Sequence, residues 1–188
     1  PKSNLSHKLK IKEIINPALQ IKLPTLDNQA ASKLMEAINI PVPPSKLIQS
    51  YDEALLFSRE NSFPLVLKMS APGLLHKADV GGVITGLNSE TELKAAFDEM
   101  TSSITTLSKD FSQKIEIQIQ KQISGGIEVI LGVKRDPTFG PVFLFGAGGK
   151  FAEIFADSNL TLLPLNLEKA KKIVQSSKVY KLLSGFRD

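Results

Sequence analysis

The chain has 188 residues, 42% of them hydrophobic, no cysteine and a formal net charge of +4. The lack of cysteine excludes disulfides, thiolate zinc sites and cysteine nucleophiles, while the length allows one medium domain or two small ones. Scattered positive charge and few aromatic residues argue against a nucleic-acid surface. No apolar stretch reaches membrane-spanning length, so we expect a cytoplasmic protein with no membrane partner.

The N-terminal part is predicted to become helical only after its first 25 residues. Residues 1–25 show weak periodicity, and Pro17 and Pro24 are expected to break any long helix, so we predict a linker or surface adaptor there. From Leu26 onward, apolar residues recur at three- and four-residue spacing, which predicts an amphipathic helix. The proline-rich segment 40–44 is predicted to end that helix.

Two capping boxes, each a serine followed three residues later by a glutamate, predict the starts of two further helices. Ser50 begins a helix to about Asn61, and Ser89 begins one that runs through Met100. The chain is predicted to be helical again after LPLN. This mixed order lacks a strict βαβ alternation and predicts an α+β protein with largely antiparallel sheets. Strands are predicted in KLIQ, FPLVLKM, GGVITGL, KIEIQIQ, IEVILGV and VFLF.

A lysine in an apolar strand is the first candidate for a binding residue. In PLVLKMS, the alternation of a strand places Val66, Lys68 and Ser70 on one face. A lysine among apolar residues is costly unless an anionic group meets it, which favours a binding role for Lys68. The alternative is an edge-strand lysine whose ammonium group reaches water.

The stretch LLHKADVGGV contains the second candidate, an adjacent histidine and lysine. The positive charge of Lys77 disfavours the imidazolium form and keeps His76 neutral, and therefore nucleophilic. A neutral imidazole beside cations suits attack on a phosphoryl group, and Gly81 and Gly82 permit close backbone approach. The alternative is a loop histidine followed by a turn that Asp79 and the glycines form.

A glycine-rich segment and two glutamates are further candidates. Gly146, Gly148 and Gly149 follow a predicted strand and can expose backbone N–H groups to an anion, although a glycine-rich hairpin turn is the alternative. Glu128 lies in a predicted strand. Glu153 follows the glycine-rich segment closely enough in sequence to contact a ligand bound by that segment. The alternative for each glutamate is a salt bridge that stabilises the fold.

Taken together, these stretches resemble one known family. IPVP, PLVLKMSAPGLLHKADVGGVITGL, GGIEVILGVKRDPTFGPVFLFGAGGKFAEIFAD and LPLN occur in the family's order and at its spacing. Over about Leu26 to Arg187, the chain resembles the β subunit, or β-like domain, of ADP-forming acetyl-CoA synthetases, which are acyl-CoA synthetases of the NDP-forming type. LHKADVGGV and GVKRDPTFGPV are the specific stretches, and the glycine loop adds support.

The resemblance implies an ATP-grasp fold, in which two α+β subdomains with largely antiparallel sheets clamp a nucleotide. The smaller subdomain would be residues 40–113, and the larger would combine 1–39 with 114–188. In the family, a further strand region supplies the ligands of Mg²⁺. The resemblance therefore implies that the larger subdomain is C-terminally incomplete, that the metal ligands lie outside this sequence, and that the chain alone is inactive.

The resemblance also implies roles for the candidate residues. His76 matches a second phosphoryl carrier of the family, with Ala78 in place of the usual serine, and would pass a phosphoryl group to ADP. Lys77 and Lys68 would stabilise the phosphoryl oxygens, and Lys68 would contact the nucleotide phosphates. The remaining nucleotide-binding candidates are Glu128, Gly146, Gly148, Gly149 and Glu153.

The activity implied by the resemblance is that of a ligase which couples cleavage of an acyl-CoA to ATP formation from ADP and phosphate, reversibly, with ATP/ADP and Mg²⁺ as cofactors. The implied partner is a CoA-binding α subunit or fused domain that carries the first phosphohistidine, so a hetero-oligomer is expected when the enzyme is complete. One departure lies at the hinge between the lobes. There the family often reads VQEM, and this chain has Lys121 in place of the glutamate.

Two other functions remain open at this point. The same domain, fused to a protein acetyltransferase, would serve as a regulatory nucleotide- or acyl-CoA-sensing module without turnover. A basic interaction domain for nucleic acid is the second alternative, and salt-dependent DNA binding with no nucleotide preference would support it.

Overall fold

The computed structural model describes residues 5–22, 25–71, 74, 77–107, 114–149, 152 and 158–185. The chain divides into two compact units, Pro1–Ile123 and Ser124–Asp188, which are called unit 1 and unit 2 below. No helix in the described ranges is long and apolar enough to cross a membrane. Each unit combines helices with an antiparallel sheet, so the predicted α+β class is confirmed.

Unit 1 is built on a four-stranded sheet with the strand order β1-β4-β2-β3, in which every neighbouring pair is antiparallel. A short 3₁₀ turn, Lys77–Val80, lies between β2 and β3. The helices in its described residues are α1 (Leu5–Gln20), α2 (Asn28–Ala37), α3 (Tyr51–Asn61) and α4 (Glu90–Leu107). The strands are β1 (Ser45–Ile48), β2 (Leu65–Ser70), β3 (Val83–Leu87) and β4 (Glu116–Lys121).

The two faces of this sheet differ in chemistry because side chains alternate along each strand. On one face, Leu65, Leu67 and Ile119 are completely buried in a core that also takes Leu93 and Met100 from α4. The opposite face carries Lys68 and, on the neighbouring strand β4, two glutamines. The apolar face therefore holds the unit together, and the opposite face carries the candidate functional groups.

Both predicted capping boxes are confirmed. Ser50 Oγ accepts a hydrogen bond from the Glu53 amide at 3.3 Å, and the Glu53 carboxylate accepts one from the Gln49 amide at 2.6 Å. Ser89 caps α4 through the Glu92 amide at 3.1 Å. These bonds satisfy backbone donors that the first turn of a helix cannot pair internally.

Replacing Ser50 with alanine should lower the free energy of unfolding by about 1 kcal/mol, because the α3 N-terminus loses its side-chain acceptor. Urea denaturation of both proteins measures this difference. Ser102→Ala, at an exposed position inside α4, is the matched control and should leave the midpoint nearly unchanged. Equal midpoints for all three proteins would contradict the capping role of Ser50.

Two predictions about helices were wrong. Residues 5–20 form the helix α1 instead of a linker, with Pro17 in its last turn, where the missing N–H removes a single helical bond. α1 packs against α2 and half-buries Ile11 and Ile14, so tertiary packing outweighs the weak periodicity. α4 extends seven residues beyond the predicted end at Met100, to Leu107.

In its described residues, unit 2 has a three-stranded antiparallel sheet in chain order, β5-β6-β7, and two helices with defined bounds. Its core contains Phe145 and Ala147 from β6 together with Ile173 and Val179 from the helical segment. The short edge strand β7 was not predicted. The elements are β5 (Val129–Asp136), β6 (Gly140–Ala147), β7 (Ser158–Leu162), α5 (Leu167–Ser176) and α6 (Tyr180–Leu183).

The hairpin between β5 and β6 has the turn that its sequence predicts. The Asp136 carboxylate accepts hydrogen bonds from the amides of Thr138 and Phe139, both at 2.9 Å. These two bonds lower the pKa of Asp136. Gly140 ends the turn with a φ of 74°, a conformation that glycine adopts without a steric penalty.

The division between the units falls at a different place from the predicted subdomain boundary. β4 lies within 114–188, yet it pairs with both β1 and β2, so it is an integral strand of the unit 1 sheet. α1 and α2 also belong to unit 1. The assignment of residues 40–113, against 1–39 with 114–188, to two nucleotide-clamping subdomains stays a prediction.

Candidate functional site

Lys68 projects from the polar face of the unit 1 sheet. Its strand β2 pairs with β4 in a register that places it opposite Gln118. The Lys68 ammonium donates a hydrogen bond to Oε1 of Gln120 on the same face. Half-burial lowers the pKa of Lys68, because desolvation disfavours the charged form. Lys68 is thus a partly desolvated cation whose hydrogen-bond partner is a neutral amide.

Lys77 brings a second ammonium group to this region. The 3₁₀ turn positions its side chain so that Nζ donates to Oδ1 of Asn28, at the start of α2, at 2.5 Å. Burial is the main cause that lowers the pKa of Lys77, the positive charge of Lys68 lowers it further, and Asp27 opposes the shift. The structure therefore brings together Lys68 and Lys77, two of the predicted site residues.

Three neutral side chains continue from Lys77 across the sheet. Asn28 Nδ2 donates to Gln118 Oε1 at 2.9 Å, and Gln118 Nε2 donates to Ser45 Oγ at 3.2 Å. Gln118 is only 3% exposed. We call Asn28, Gln118 and Ser45 the amide relay. It connects the N-terminus of α2 to strands β4 and β1.

The amide relay was missed by the sequence analysis, although one signal was present. In KIEIQIQ the isoleucines alternate with Gln118 and Gln120, which predicts a polar strand face. What the sequence lacks is the pairing register that sets this face beside Lys68. A cavity of about 240 Å³ opens at the same place, and its lining includes Asn28, Met35, Val42, Lys68, Gln118 and Gln120.

Gly82, the second glycine after the 3₁₀ turn, has a packing role. Gly82 is buried, its amide donates to the Lys77 carbonyl at 2.7 Å, and a Cβ added to it would lie 2.8 Å from that oxygen. The same Cβ would lie 3.2 Å from the Met69 sulfur. In the described residues Gly82 packs closely against the Lys77 turn, and the predicted approach of the glycine backbone to a phosphoryl group stays a prediction.

Unit 2 brings a second set of predicted residues together. The Gly148 amide donates to the Glu128 carbonyl at 2.8 Å, and a Cβ on Gly149 would fall 1.7 Å from a carboxylate oxygen of Glu128. Glu128 is exposed, immediately before β5, and Gly146 is a buried residue within β6. Glu128 thus lies directly against the glycine segment, with its carboxylate beside Gly149.

Two predicted site residues, His76 and Glu153, lie outside the described residues. In the part of the chain that is described, no group of three or more Asp, Glu or His side chains is arranged to hold a metal ion. The described residues therefore contain no cluster that would hold Mg²⁺ by protein ligands alone.

Unit 2 also has a large apolar hollow that the sequence did not predict. Its volume is about 810 Å³, and its lining includes Ile130, Leu144, Leu160 and Leu162 from one face of the sheet. Leu160 is 66% exposed and Leu162 is 51% exposed. The predicted chemistry does not involve these side chains.

Comparison with known proteins gives one consistent result. Residues 18–188 match the sequence model of the ATP-grasp domain family. The chain is 33% identical, over 95% of its length, to subunit beta of the ADP-forming acetate–CoA ligase I of Pyrococcus furiosus, and it covers 76% of that subunit. It is also 33% identical, over 96% of its length, to the ADP-forming 4-hydroxybutyrate–CoA ligase of Nitrosopumilus maritimus.

A solved structure supports the same relationship. The chain matches acetyl-coenzyme A synthetase 1 of Candidatus Korarchaeum cryptofilum with a TM-score of 0.75 and 35% identity, covering 94% of this chain and 75% of that one. That protein was solved with coenzyme A and Mg-AMPPCP, with its phosphohistidine segment pointing towards the nucleotide-binding site. The present chain spans 26% of the length of the N. maritimus ligase.

Proposed function

Because the chain belongs to the ATP-grasp domain family, in the group that includes the β subunits of ADP-forming acetate–CoA ligases, we propose that it is the nucleotide-binding, phosphoryl-transfer part of an ADP-forming acyl-CoA ligase. In this proposal the complete enzyme converts an acyl-CoA, phosphate and ADP to a carboxylic acid, CoA and ATP, reversibly. The fold predicted from the sequence, ATP-grasp, is confirmed by this membership.

The observation that carries the proposal is the pair of half-buried lysines in unit 1. Lys68 and Lys77 are close enough for the charge of one to lower the pKa of the other, and their hydrogen-bond partners are the neutral amides of Gln120 and Asn28. In the described residues, neither lysine forms a salt bridge with a carboxylate. Two nearby cations that have no salt-bridge partner in the described residues, one of which lines a cavity, favour a polyanionic ligand such as a nucleotide di- or triphosphate.

The proposed chemistry is a phosphoryl transfer between the ring nitrogen of His76 and ADP. The nitrogen–phosphorus bond breaks as a terminal oxygen of ADP bonds to the same phosphorus, and the imidazole, which carries a proton on its other ring nitrogen, leaves as the neutral base. Lys68 and Lys77 would compensate the negative charge of the transferring oxygens, which is the main task of a protein in such reactions. Glu128 and the glycines of unit 2, together with Glu153, are proposed as further nucleotide contacts.

The proposal also includes a partner. The P. furiosus relative is one subunit of a ligase, whereas the N. maritimus relative is a longer chain of which this one covers about a quarter. A CoA-binding subunit or fused domain would supply the phosphoryl group and carry the first phosphohistidine, and Mg²⁺ would neutralise phosphate charge when bound. The relatives reported above are ligases, and they give no support to the alternative of an acetyltransferase sensor.

Replacing Lys68 with methionine should weaken ADP binding about ten- to a hundredfold, because a hydrogen bond to a charged phosphate is lost while most of the unbranched side chain is retained. Isothermal titration calorimetry of ADP into each protein measures the effect. Lys46→Met removes an exposed lysine from β1 and should leave the affinity unchanged. Equal affinities for wild type and Lys68→Met would remove Lys68 from the proposed site.

A further inference from the structure

Lys77 is held by the side chain of Asn28, which belongs to none of the sequence motifs. Its Nζ donates to Oδ1 of Asn28, a residue distant in sequence that α2 brings over the polar face of the sheet. An ammonium group can only donate, so Asn28 must present its oxygen to Lys77 and its NH₂ group to Gln118. The Gln118 NH₂ group must then face Ser45. The ammonium group therefore fixes the direction of every hydrogen bond in the amide relay.

The hydrogen-bond partner of Lys77 is the neutral amide of Asn28, even though the residue before Asn28 is the acid Asp27. Asp27 is the N-cap of α2, and its carboxylate accepts a hydrogen bond from the Ala30 amide at 2.8 Å. That bond turns the acid toward the helix end, so the contact with Nζ is made by the amide of Asn28. A carboxylate at the position of Asn28 would form an ion pair with Lys77 and compete with any anionic ligand.

Burial makes the relay dependent on each of its members. Gln118 is 3% exposed. When a buried amide loses a hydrogen-bond partner, the folded state is destabilised because the unpaired group has no water to bond to. With the relay intact, the Lys77 side chain is held beside Lys68 before any ligand arrives. Preorganised charge avoids the reorganisation that a free lysine side chain would need on binding.

We propose that Asn28 is a positioning residue: together with Gln118 and Ser45, it holds Lys77 beside Lys68. Because these contacts are neutral, both positive charges remain available for the phosphates of a nucleotide. This inference rests on the proposed function, because it assigns the task of Asn28 within the same nucleotide site. It predicts that both the position and the neutrality of the Asn28 amide matter.

The test compares Asn28→Asp with Asn28→Ala in the full chain, by calorimetric titration with ADP, AMP, adenosine and inorganic tripolyphosphate. Aspartate still accepts a hydrogen bond from Lys77 but neutralises it, and alanine releases it. Each variant should weaken ADP and tripolyphosphate binding by about tenfold, AMP binding by less, and adenosine binding not at all. Asn88→Asp adds one negative charge at an exposed turn of the same unit and should change none of these affinities.

A double-mutant cycle distinguishes positioning from a general structural effect. In a Lys77→Met background, Asn28→Asp and Asn28→Ala should produce no further loss of ADP affinity, because the residue acts through Lys77. Equal losses for adenosine and ADP, or an undiminished loss in the Lys77→Met background, would overturn the positioning role.

The outcomes for wild type separate this inference from the proposed function. If wild type binds ADP and both Asn28 variants bind it equally well, the positioning role is wrong and the proposed function stands. If wild type binds tripolyphosphate but not ADP, nucleotide binding is wrong, and the Asn28 variants still test the relay with tripolyphosphate. If wild type binds neither compound, both proposals are wrong.

Discussion

Gly82→Ala should lower the free energy of unfolding by about 1–3 kcal/mol and should weaken ADP binding in the fraction that folds. The added methyl group would lie 2.8 Å from the Lys77 carbonyl oxygen, closer than real Cβ contacts allow. The Met69 side chain, 3.2 Å away, is flexible and can move. The carbonyl belongs to the backbone, so the turn that carries Lys77 must shift.

Gly82 is hydrogen-bonded on both sides, so any movement that relieves the clash strains one of its two backbone hydrogen bonds. The Gly82 amide donates to the Lys77 carbonyl at 2.7 Å, and the Gly82 carbonyl accepts from the Met69 amide at 2.8 Å. Moving Gly82 away from the turn strains the bond to Lys77, and moving it toward β2 strains the bond to Met69. A displaced turn also moves the Lys77 ammonium away from Asn28, which is the reason to expect weaker ADP binding.

Urea denaturation and calorimetric titration measure the two effects of Gly82→Ala. Gly132→Ala is the matched control, because its added Cβ would meet Leu144 at 3.8 Å, an ordinary van der Waals distance, inside a regular strand. The control should keep its stability within about 0.5 kcal/mol, as substitutions without a clash usually do. A Gly82→Ala protein as stable as the control would show that the Lys77 turn adapts freely.

His76→Asn should abolish phosphoryl transfer to ADP in the complete enzyme, assembled with the CoA-binding partner of the proposed function. Asparagine is a polar side chain of similar length, but its amide nitrogen is not nucleophilic and cannot form a phosphoramidate with the phosphoryl donor. The phosphoryl group would then have no carrier. The folded state should survive, because the substitution replaces one polar side chain with another of similar size.

Radiolabelled phosphate followed by peptide mapping measures this second effect, with thermal melts of both proteins. In wild type, an acid-labile, base-stable label should appear on the peptide containing His76, and in His76→Asn the label should be lost. His7→Asn is the matched control and should transfer label normally. ATP synthesis by His76→Asn at nearly the wild-type rate would mean that the phosphoryl group passes directly from the partner to ADP.

Local signals in the sequence predicted most elements of the fold. The two capping boxes, the alternating strand KIEIQIQ and the Asp-Pro turn each depend on residues within a few positions of one another, and each is confirmed. α1 was missed because its support comes from packing against α2, which its weak periodicity does not reveal. β7 was missed because it is short and begins with Ser158 and Asn159, residue types that are common in loops.

The candidate site was predictable only in part, for the same reason. Lys68 was identified because a lysine in an apolar strand conflicts with its surroundings, and that conflict is visible locally. Asn28 was not identified because its contact with Lys77 requires α2 to lie across a sheet assembled from distant segments. The sequence indicates only that Gly81 and Gly82 permit close backbone approach, and the contact of Gly82 with the Lys77 carbonyl depends on how the chain folds back on itself.

The strand order of unit 1 has a consequence for the growing chain during synthesis. In the described residues, β1 pairs only with β4, and β4 also pairs with β2. β4 is the last of these four strands to be synthesised. During translation, β1 and one edge of β2 therefore have no hydrogen-bonding partner until β4 has emerged from the ribosome. Unit 2 pairs its strands in the order of their synthesis, and such local pairing is fast. Slowing translation before residue 121 should therefore increase the exposure of nascent unit 1 to chaperones and proteases, while nascent unit 2 should be little affected.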